Sequence, residues 1–131
     1  MGDVTNDSPG LVALGGLAVV RLGAQARSML PTLAPGDRLL VRAGRRATRR
    51  VRDGRLVVVR LPGDRPASVK RLAHTDADGW WVERDNPREG VDSWQVGSIP
   101  DDDRLGVVVA RIWPRPALLR GAAHAPGGGR R

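Results

Sequence analysis

The stretch Arg55–Leu61, R-L-V-V-V-R-L, decides the fold class of this chain. Its run of valines favours a β-strand, because β-branched residues are enriched in strands. A turn at Asp53 and Gly54 precedes the stretch, and the segment P-G-D-R-P at Pro62–Pro66 follows it, so turn residues bound the strand on both sides. The next stretch, Ala67–Ala73, alternates like a half-buried strand, which predicts that the chain continues as β-structure.

Further strands are predicted on both sides of this pair. They cover Leu17–Leu22, Arg38–Arg42, Trp80–Glu83 and Leu105–Trp113. Loops are predicted at 43–55, which is rich in arginine, and at 84–100, which is rich in Asp, Asn, Pro and Gly. Short strands joined by Gly and Pro turns predict an all-β domain.

The 131 residues favour one domain. We place it at residues 17–116, after a weakly ordered N-terminus at 1–16 and before a disordered Gly- and Arg-rich tail at 117–131. The apolar run Leu11–Val20 is too short for a transmembrane helix, which needs about 20 apolar residues. We therefore expect a cytoplasmic protein without a transmembrane helix that can lie at the periphery of a membrane.

The composition excludes several kinds of site. The chain has no cysteine, so disulfides, thiolate metal sites and cysteine nucleophiles are ruled out. Its two histidines, His74 and His124, are far apart in sequence, and neither has a second histidine at metal-ligand spacing. We expect no metal and no cofactor.

Lys70 is the single lysine among 22 basic residues, all the others being arginine. An arginine guanidinium does not lose its proton in a protein, whereas a buried lysine amine can. Burial lowers the pKa of such an amine toward working pH, where the neutral form acts as a general base. Lys70 is therefore a candidate base, although one lysine can also survive by chance.

Ser28 is the candidate nucleophile that complements this base. It lies in R-S-M-L-P-T-L, after a predicted strand and before a turn that contains proline. Such a position can expose a hydroxyl at the edge of a cleft, with backbone N–H groups nearby to hold an oxyanion. Ser28 and Lys70 together have the logic of a Ser–Lys pair, provided that the intervening strands fold back.

Four segments in order resemble the conserved boxes of type I signal peptidases, the S26 peptidase family. They are S-M-L-P-T-L-A-P-G-D-R-L-L-V (Ser28–Val41), D-G-R-L-V-V-V-R (Asp53–Arg60), S-V-K-R-L (Ser68–Leu72) and D-N-P-R-E-G-V-D-S (Asp85–Ser93). One such box can arise by chance, but four in order are a strong signal. The resemblance implies a coiled, mostly antiparallel, barrel-like β-sheet domain of the S24/S26 type and the activity of a serine endopeptidase.

The resemblance also implies roles for individual residues. Ser28 would attack a peptide carbonyl, its backbone N–H would help to form the oxyanion hole, and Lys70 would carry the proton. Met29 would pack beneath the nucleophile. The remaining matches, which would support the active site, are Asp85, Asn86, Asp92 and Ser93.

Some positions depart from the family pattern. Gly90 stands where the family carries a hydroxyl that can orient the lysine, and Ala26 stands where it often carries a small polar residue or glycine. Arg84 and Trp94 replace a glycine and an arginine of the last box.

The closest resemblance within the family is to the maturation proteases of nickel-type superoxide dismutase. It rests on G-W-W-V at Gly79–Val82, the D-N-P box and W-P-R-P at Trp113–Pro116. It implies that the partner is a precursor protein or peptide, nickel superoxide dismutase being the candidate, from which a leader is cleaved.

The changes at Gly90 and Trp94 keep open an inactive relative that has the fold but no turnover. Two further alternatives remain open. One is an S24-type, repressor-like Ser/Lys peptidase, which also has an early S-M and a later T-V-K-R-L-like strand. The other is a catalytically inactive basic module that binds nucleic acid or an anionic membrane through the Arg45–Arg55 loop. The loop has no interleaved aromatic residues for base stacking, so we expect no specific nucleic-acid partner and keep peripheral membrane contact as the alternative.

Overall fold

The computed structural model describes residues 16–63 and 65–119. Within them, seven strands form one sheet with antiparallel pairing: β1 (Leu17–Arg21), β2 (Arg38–Ala43), β3 (Leu56–Arg60), β4 (Ala67–Asp76), β5 (Gly79–Glu83), β6 (Arg104–Trp113) and β7 (Ala117–Leu118). The order across the sheet is β1-β2-β6-β3-β4-β5, and β7 pairs with β6. The predicted all-β, mostly antiparallel fold class is confirmed.

Both segments that were predicted to be loops contain a short helix, so the loop prediction was wrong in part. In the first, α1 covers Arg45–Arg49 and buries Thr48. In the second, α2 covers Ser93–Val96 and is held by a capping box, in which the Asp92 carboxylate and the Gln95 amide bind each other's backbone N–H groups. A 3₁₀ turn at Asp101–Asp103 then leads into β6.

Both faces of the sheet are covered, as alternate residues of β3 show. Val58 belongs to a core cluster that also contains Met29, whereas Val57 and Val59 belong to a second cluster. The sequence predicted that β4 is half-buried, with one face in the core. This prediction is wrong, because the consecutive residues 68–70 are all buried. The first part of β4 therefore lies inside the domain, where a charged side chain is costly, and its last three residues are exposed.

The predicted domain limits fall near the ends of the described chain. Residues 1–15 and 120–131, which make up most of the predicted N-terminal segment and tail, lie outside the described residues. Ala117 and Leu118 pair with β6, and the Leu119 N–H donates to the carbonyl of Val109. These three residues thus belong to the sheet and not to the tail in which the sequence placed them. No helix in the described part of the chain could cross a membrane.

Candidate active site

Ser28 lies in the connection between β1 and β2. Two backbone hydrogen bonds close this connection at its ends, from the Leu22 N–H to the Asp37 carbonyl and from the Gly36 N–H to the Leu22 carbonyl, both 2.9 Å. The prolines of the segment prevent a long helix, so the chain instead makes successive turns. The result is a short, closed loop in which the position of Ser28 is set by its neighbours.

Met29 anchors this loop in the core. Its side chain is 3% exposed and packs in the same cluster as Val58 and Val69. Its sulfur also accepts a hydrogen bond from the backbone N–H of Asp85, at 3.4 Å. The side chain after Ser28 thus connects the loop to the segment that follows β5.

The structure brings Ser28 and Lys70 together. Lys70 lies in the middle of β4, opposite Val57 of β3, and its side chain is fully buried. Its Nζ donates a hydrogen bond to the Ser28 Oγ over 2.8 Å, although the two residues are 42 positions apart. Because Ser28 is itself 3% exposed, the contact is shielded from water.

This geometry permits proton transfer. Burial disfavours the charged form of an amine, and a neutral amine can accept a proton from a hydroxyl within hydrogen-bond reach. The distance of 2.8 Å between Nζ and Oγ meets that requirement. The pair can therefore generate a nucleophilic oxygen without a histidine.

Asn86 holds the backbone on both sides of the Ser28 nitrogen. Its side-chain Nδ2 donates to the carbonyl of Arg27 over 2.9 Å, and its backbone N–H donates to the carbonyl of Ser28 over 2.8 Å. The Arg27 carbonyl and the Ser28 N–H share one planar peptide unit and, when it is trans, point in opposite directions. Fixing the carbonyl therefore fixes the direction of the Ser28 N–H.

Asp85 is held in place by a basic and a hydroxyl side chain. Arg71 donates to both of its carboxylate oxygens, at 2.9 and 2.7 Å, and Thr32 donates to one of them at 2.5 Å. The side chains of Arg71 and Asp85 are each 15% exposed, so the pair is partly buried. Thr32 belongs to the Ser28 loop and Arg71 to β4, so Asp85 links the elements that carry the two members of the pair.

Gly90 explains one departure from the family pattern. A Cβ atom at this position would lie 2.5 Å from the Cβ of Ser28, and the φ of Gly90 is +115°. Only glycine fits so close to Ser28 in that backbone conformation. The close approach leaves no room at position 90 for a hydroxyl that could orient Lys70.

Asp92 and Ser93 stabilise the connection between β5 and α2. The Asp92 carboxylate accepts hydrogen bonds from the backbone N–H groups of Trp94 and Arg84, at 3.0 and 2.9 Å. The Ser93 hydroxyl accepts one from the Val82 N–H at 2.8 Å. These contacts attach α2 to β5, and no hydrogen bond among the described residues joins Asp92 or Ser93 to Ser28 or Lys70.

A cleft of about 240 Å³ lies beside Gly90 and is a candidate substrate pocket. Its lining includes Arg84, whose side chain is 3.2 Å from the position of a Cβ on Gly90, and Trp94, which is 71% exposed. The Trp94 indole donates to Glu83 at 2.9 Å. The walls of this cleft come from β5, α2 and the loop between them.

Comparison with known families identifies the class of protein. The family model described as peptidase S24-like matches residues 14–109, which include every site residue named above. The chain therefore belongs to the peptidase S24-like family, whose members resemble Ser/Lys peptidases. Comparisons with curated proteins and with solved structures found no match.

Proposed function

We propose that this protein is a serine endopeptidase in which Ser28 is the nucleophile and Lys70 the general base. The observation that carries the proposal is the buried 2.8 Å contact between the Lys70 Nζ and the Ser28 Oγ. A fully buried lysine in hydrogen-bond contact with a serine is costly to maintain for stability alone. A chemical role accounts for its presence.

In the proposed reaction, the neutral Lys70 amine takes the proton of the Ser28 hydroxyl as Oγ attacks a peptide carbonyl. The carbonyl oxygen gains negative charge, which the Ser28 backbone N–H stabilises, and Asn86 keeps that N–H directed at the site. The Lys70 ammonium then protonates the leaving amine, and an acyl ester on Ser28 remains. Water, activated by the same amine, hydrolyses the ester and regenerates the hydroxyl.

Substrate access requires a change in the loop over the nucleophile. Ser28 is 3% exposed, and the backbone of Gly90 lies against it. We expect the Ser28 hydroxyl to become accessible when a peptide binds, while Gly90 stays against the Cα and Cβ atoms of Ser28. The cleft lined by Arg84 and Trp94 then receives a side chain of the substrate.

For the substrate, we propose a precursor protein that loses a leader peptide. Nickel-type superoxide dismutase is the specific candidate, supported by the resemblance of the G-W-W-V, D-N-P and W-P-R-P segments. The test combines the purified protein with the candidate precursor and with precursors that carry signal peptides, and follows cleavage by mass spectrometry. A single cut in the superoxide dismutase precursor alone would support the finer assignment.

Three variants test the chemistry independently of the substrate. Ser28→Ala removes the nucleophile, Lys70→Met removes the base while keeping a buried chain of similar length, and Ser98→Ala is the matched serine control. A peptide boronate, which bonds reversibly to a nucleophilic serine oxygen, serves as the probe in native mass spectrometry. We expect adducts in the wild type and in Ser98→Ala, none in Ser28→Ala and strongly reduced formation in Lys70→Met. Equal adduct formation in all four folded proteins would contradict the proposal.

A repressor-like peptidase that cuts its own chain is the second candidate function, and the S24-like family match favours it. Its test is incubation of the protein alone over a hundredfold range of concentration. A self-cleavage rate that does not depend on concentration and vanishes in Ser28→Ala would support this candidate. Cleavage of added precursors without self-cleavage supports the first.

A further inference from the structure

A second cavity lies between α1 and β6, with a volume of about 370 Å³. Four arginines line it, namely Arg42, Arg46, Arg50 and Arg55, and none of its described lining residues is acidic. Apolar residues such as Val107 form the rest of its wall. We call it the arginine pocket; its size falls within the range of small-molecule sites.

The arginine pocket and the Ser28–Lys70 pair have no residue in common. Val41 and Val108 pair across β2 and β6 and point into the core cluster that contains Met29. Arg42, the next residue of β2, pairs with Val107 and points to the opposite face, since successive side chains of a strand alternate. Val107 pairs with Val57 of β3, and Val57 pairs with Lys70, so the pocket is on the Lys70 face of the sheet, two strands away from Lys70. The pocket and the candidate active site are therefore distinct by their lining residues.

The frame of the pocket is fixed by internal contacts. The guanidinium of Arg55 donates to the Val108 carbonyl over 3.1 Å, which sets its position on the sheet. On the helix side, Thr48 is buried, and its hydroxyl donates to the carbonyl of Arg45 over 3.3 Å. The backbone on both sides of the pocket is thus held in place, and Arg42 of β2, Arg46 of α1, Arg50 just after α1 and Arg55 just before β3 line one cavity.

The neighbouring carboxylates are engaged elsewhere. Asp101 and Asp102 accept hydrogen bonds from Arg45, at 2.5 and 3.1 Å, and Arg45 does not line the pocket. Among the ion pairs between described residues, none involves Arg42, Arg46 or Arg50. The like charges around the cavity repel each other, and an anion placed between them offsets that repulsion.

We propose that the arginine pocket binds a phosphate-bearing anion. A guanidinium presents its N–H donors in a planar fork that matches two oxygens of a phosphate, and several forks can share one group. The apolar part of the wall around Val107 can contact the carbon atoms next to the phosphate. The same chemistry fits a soluble phosphorylated compound and the head group of an anionic phospholipid, and the experiment separates these two sources.

The first arm measures binding of inorganic pyrophosphate to the full chain by isothermal titration calorimetry at low ionic strength. Two double variants carry the same change in charge: Arg46→Gln with Arg50→Gln, whose side chains line the pocket, and Arg49→Gln with Arg52→Gln, whose side chains do not. All four arginines are exposed, so we expect both proteins to fold. We expect a 1:1 complex whose affinity falls about tenfold or more in the pocket variant and much less in the control.

The second arm measures co-sedimentation with vesicles of phosphatidylcholine that contain about one-third phosphatidylglycerol, with pure phosphatidylcholine as reference. Binding of pyrophosphate alone assigns a soluble ligand, and binding of anionic vesicles alone, lost in the pocket variant, assigns a lipid head group. The proposal would be overturned if the protein bound neither pyrophosphate nor anionic vesicles. It would also be overturned if both double variants lost the same amount of affinity, because net charge would then explain the binding. None of these outcomes depends on whether Ser28 is a nucleophile.

Discussion

Gly90→Ala is the substitution for which the structure gives the clearest expectation. The new Cβ would lie 2.5 Å from the Cβ of Ser28, whereas ordinary contact between carbon atoms begins at 3.4 Å. Ser28 and residue 90 must therefore separate by about 1 Å to reach ordinary contact. The loop that carries Ser28 is closed at its ends and anchored by Met29, so part of this shift falls on the nucleophile itself.

Gly90→Ala should therefore change two quantities, the folding stability and the catalytic rate. The φ of +115° at position 90 disfavours a side chain and costs about 1–3 kcal/mol of folding stability. The displacement of Ser28 costs catalysis, because a misplacement of about 1 Å can lower the rate about 100-fold. We expect kcat of Gly90→Ala to fall about 100-fold while the protein remains folded.

Gly97→Ala is the matched control. Gly97 also has a positive φ, +86°, but nothing lies within 4 Å of a Cβ placed there. It should lose stability to a similar extent, measured by urea unfolding, and keep the activity and the boronate adduct of the wild type. Two results would contradict this reasoning: both variants keep the kcat of the wild type, or both lose activity to the same extent. In either case the close approach of Gly90 would not set the position of Ser28.

Three further predictions concern two residues next to the Ser28 loop and one carboxylate at the end of β4. Asn86→Asp removes the donor that fixes the peptide unit before the nucleophile, so kcat should fall by about 10–100-fold with little change in KM, as steady-state kinetics would show. Asp85→Asn breaks a partly buried pair with Arg71 and should lower the free energy of unfolding by about 1–3 kcal/mol, and an unchanged urea midpoint would contradict this. The hydrogen bond from the Ser98 hydroxyl, together with backbone N–H groups, lowers the pKa of Asp76. This contribution to stability is present above the ordinary pKa of an aspartate and is lost as pH falls through the lowered value, so in an NMR titration Ser98→Ala should raise the pKa of Asp76.

The strands could be predicted because their signal is local. The predicted strand around the valine run at 57–59 is one residue longer than β3 at each end, and the predicted last strand begins one residue after β6 and ends with it. The short helices have weaker signals. α1 contains R-R-A-T-R, which has no apolar periodicity, and α2 is a single turn. The spacing of Asp92 and Gln95 matches a capping box and could have revealed α2.

The site could be predicted only in part. The resemblance to Ser/Lys peptidases predicted that Ser28 and Lys70 form a pair. In the structure the two side chains are in direct contact. The constraint at Gly90 was not visible, because it depends on the distance between two segments 62 positions apart in sequence. The same limit applies to the arginine pocket, whose charges were apparent as a cluster but whose cavity requires α1 to pack on β6.

The position of β6 in the sheet determines when the reactive pair can form during synthesis. β6 lies between β2, which follows the loop that carries Ser28, and β3, whose neighbour β4 carries Lys70. The ribosome releases Ser28 and Lys70 well before β6, and without β6 nothing in the sheet joins the two hairpin units that hold them. The contact between Ser28 and Lys70 therefore joins two parts of the chain that the sheet connects only through its last long strand. The sheet around this contact is complete only once β6 has been added.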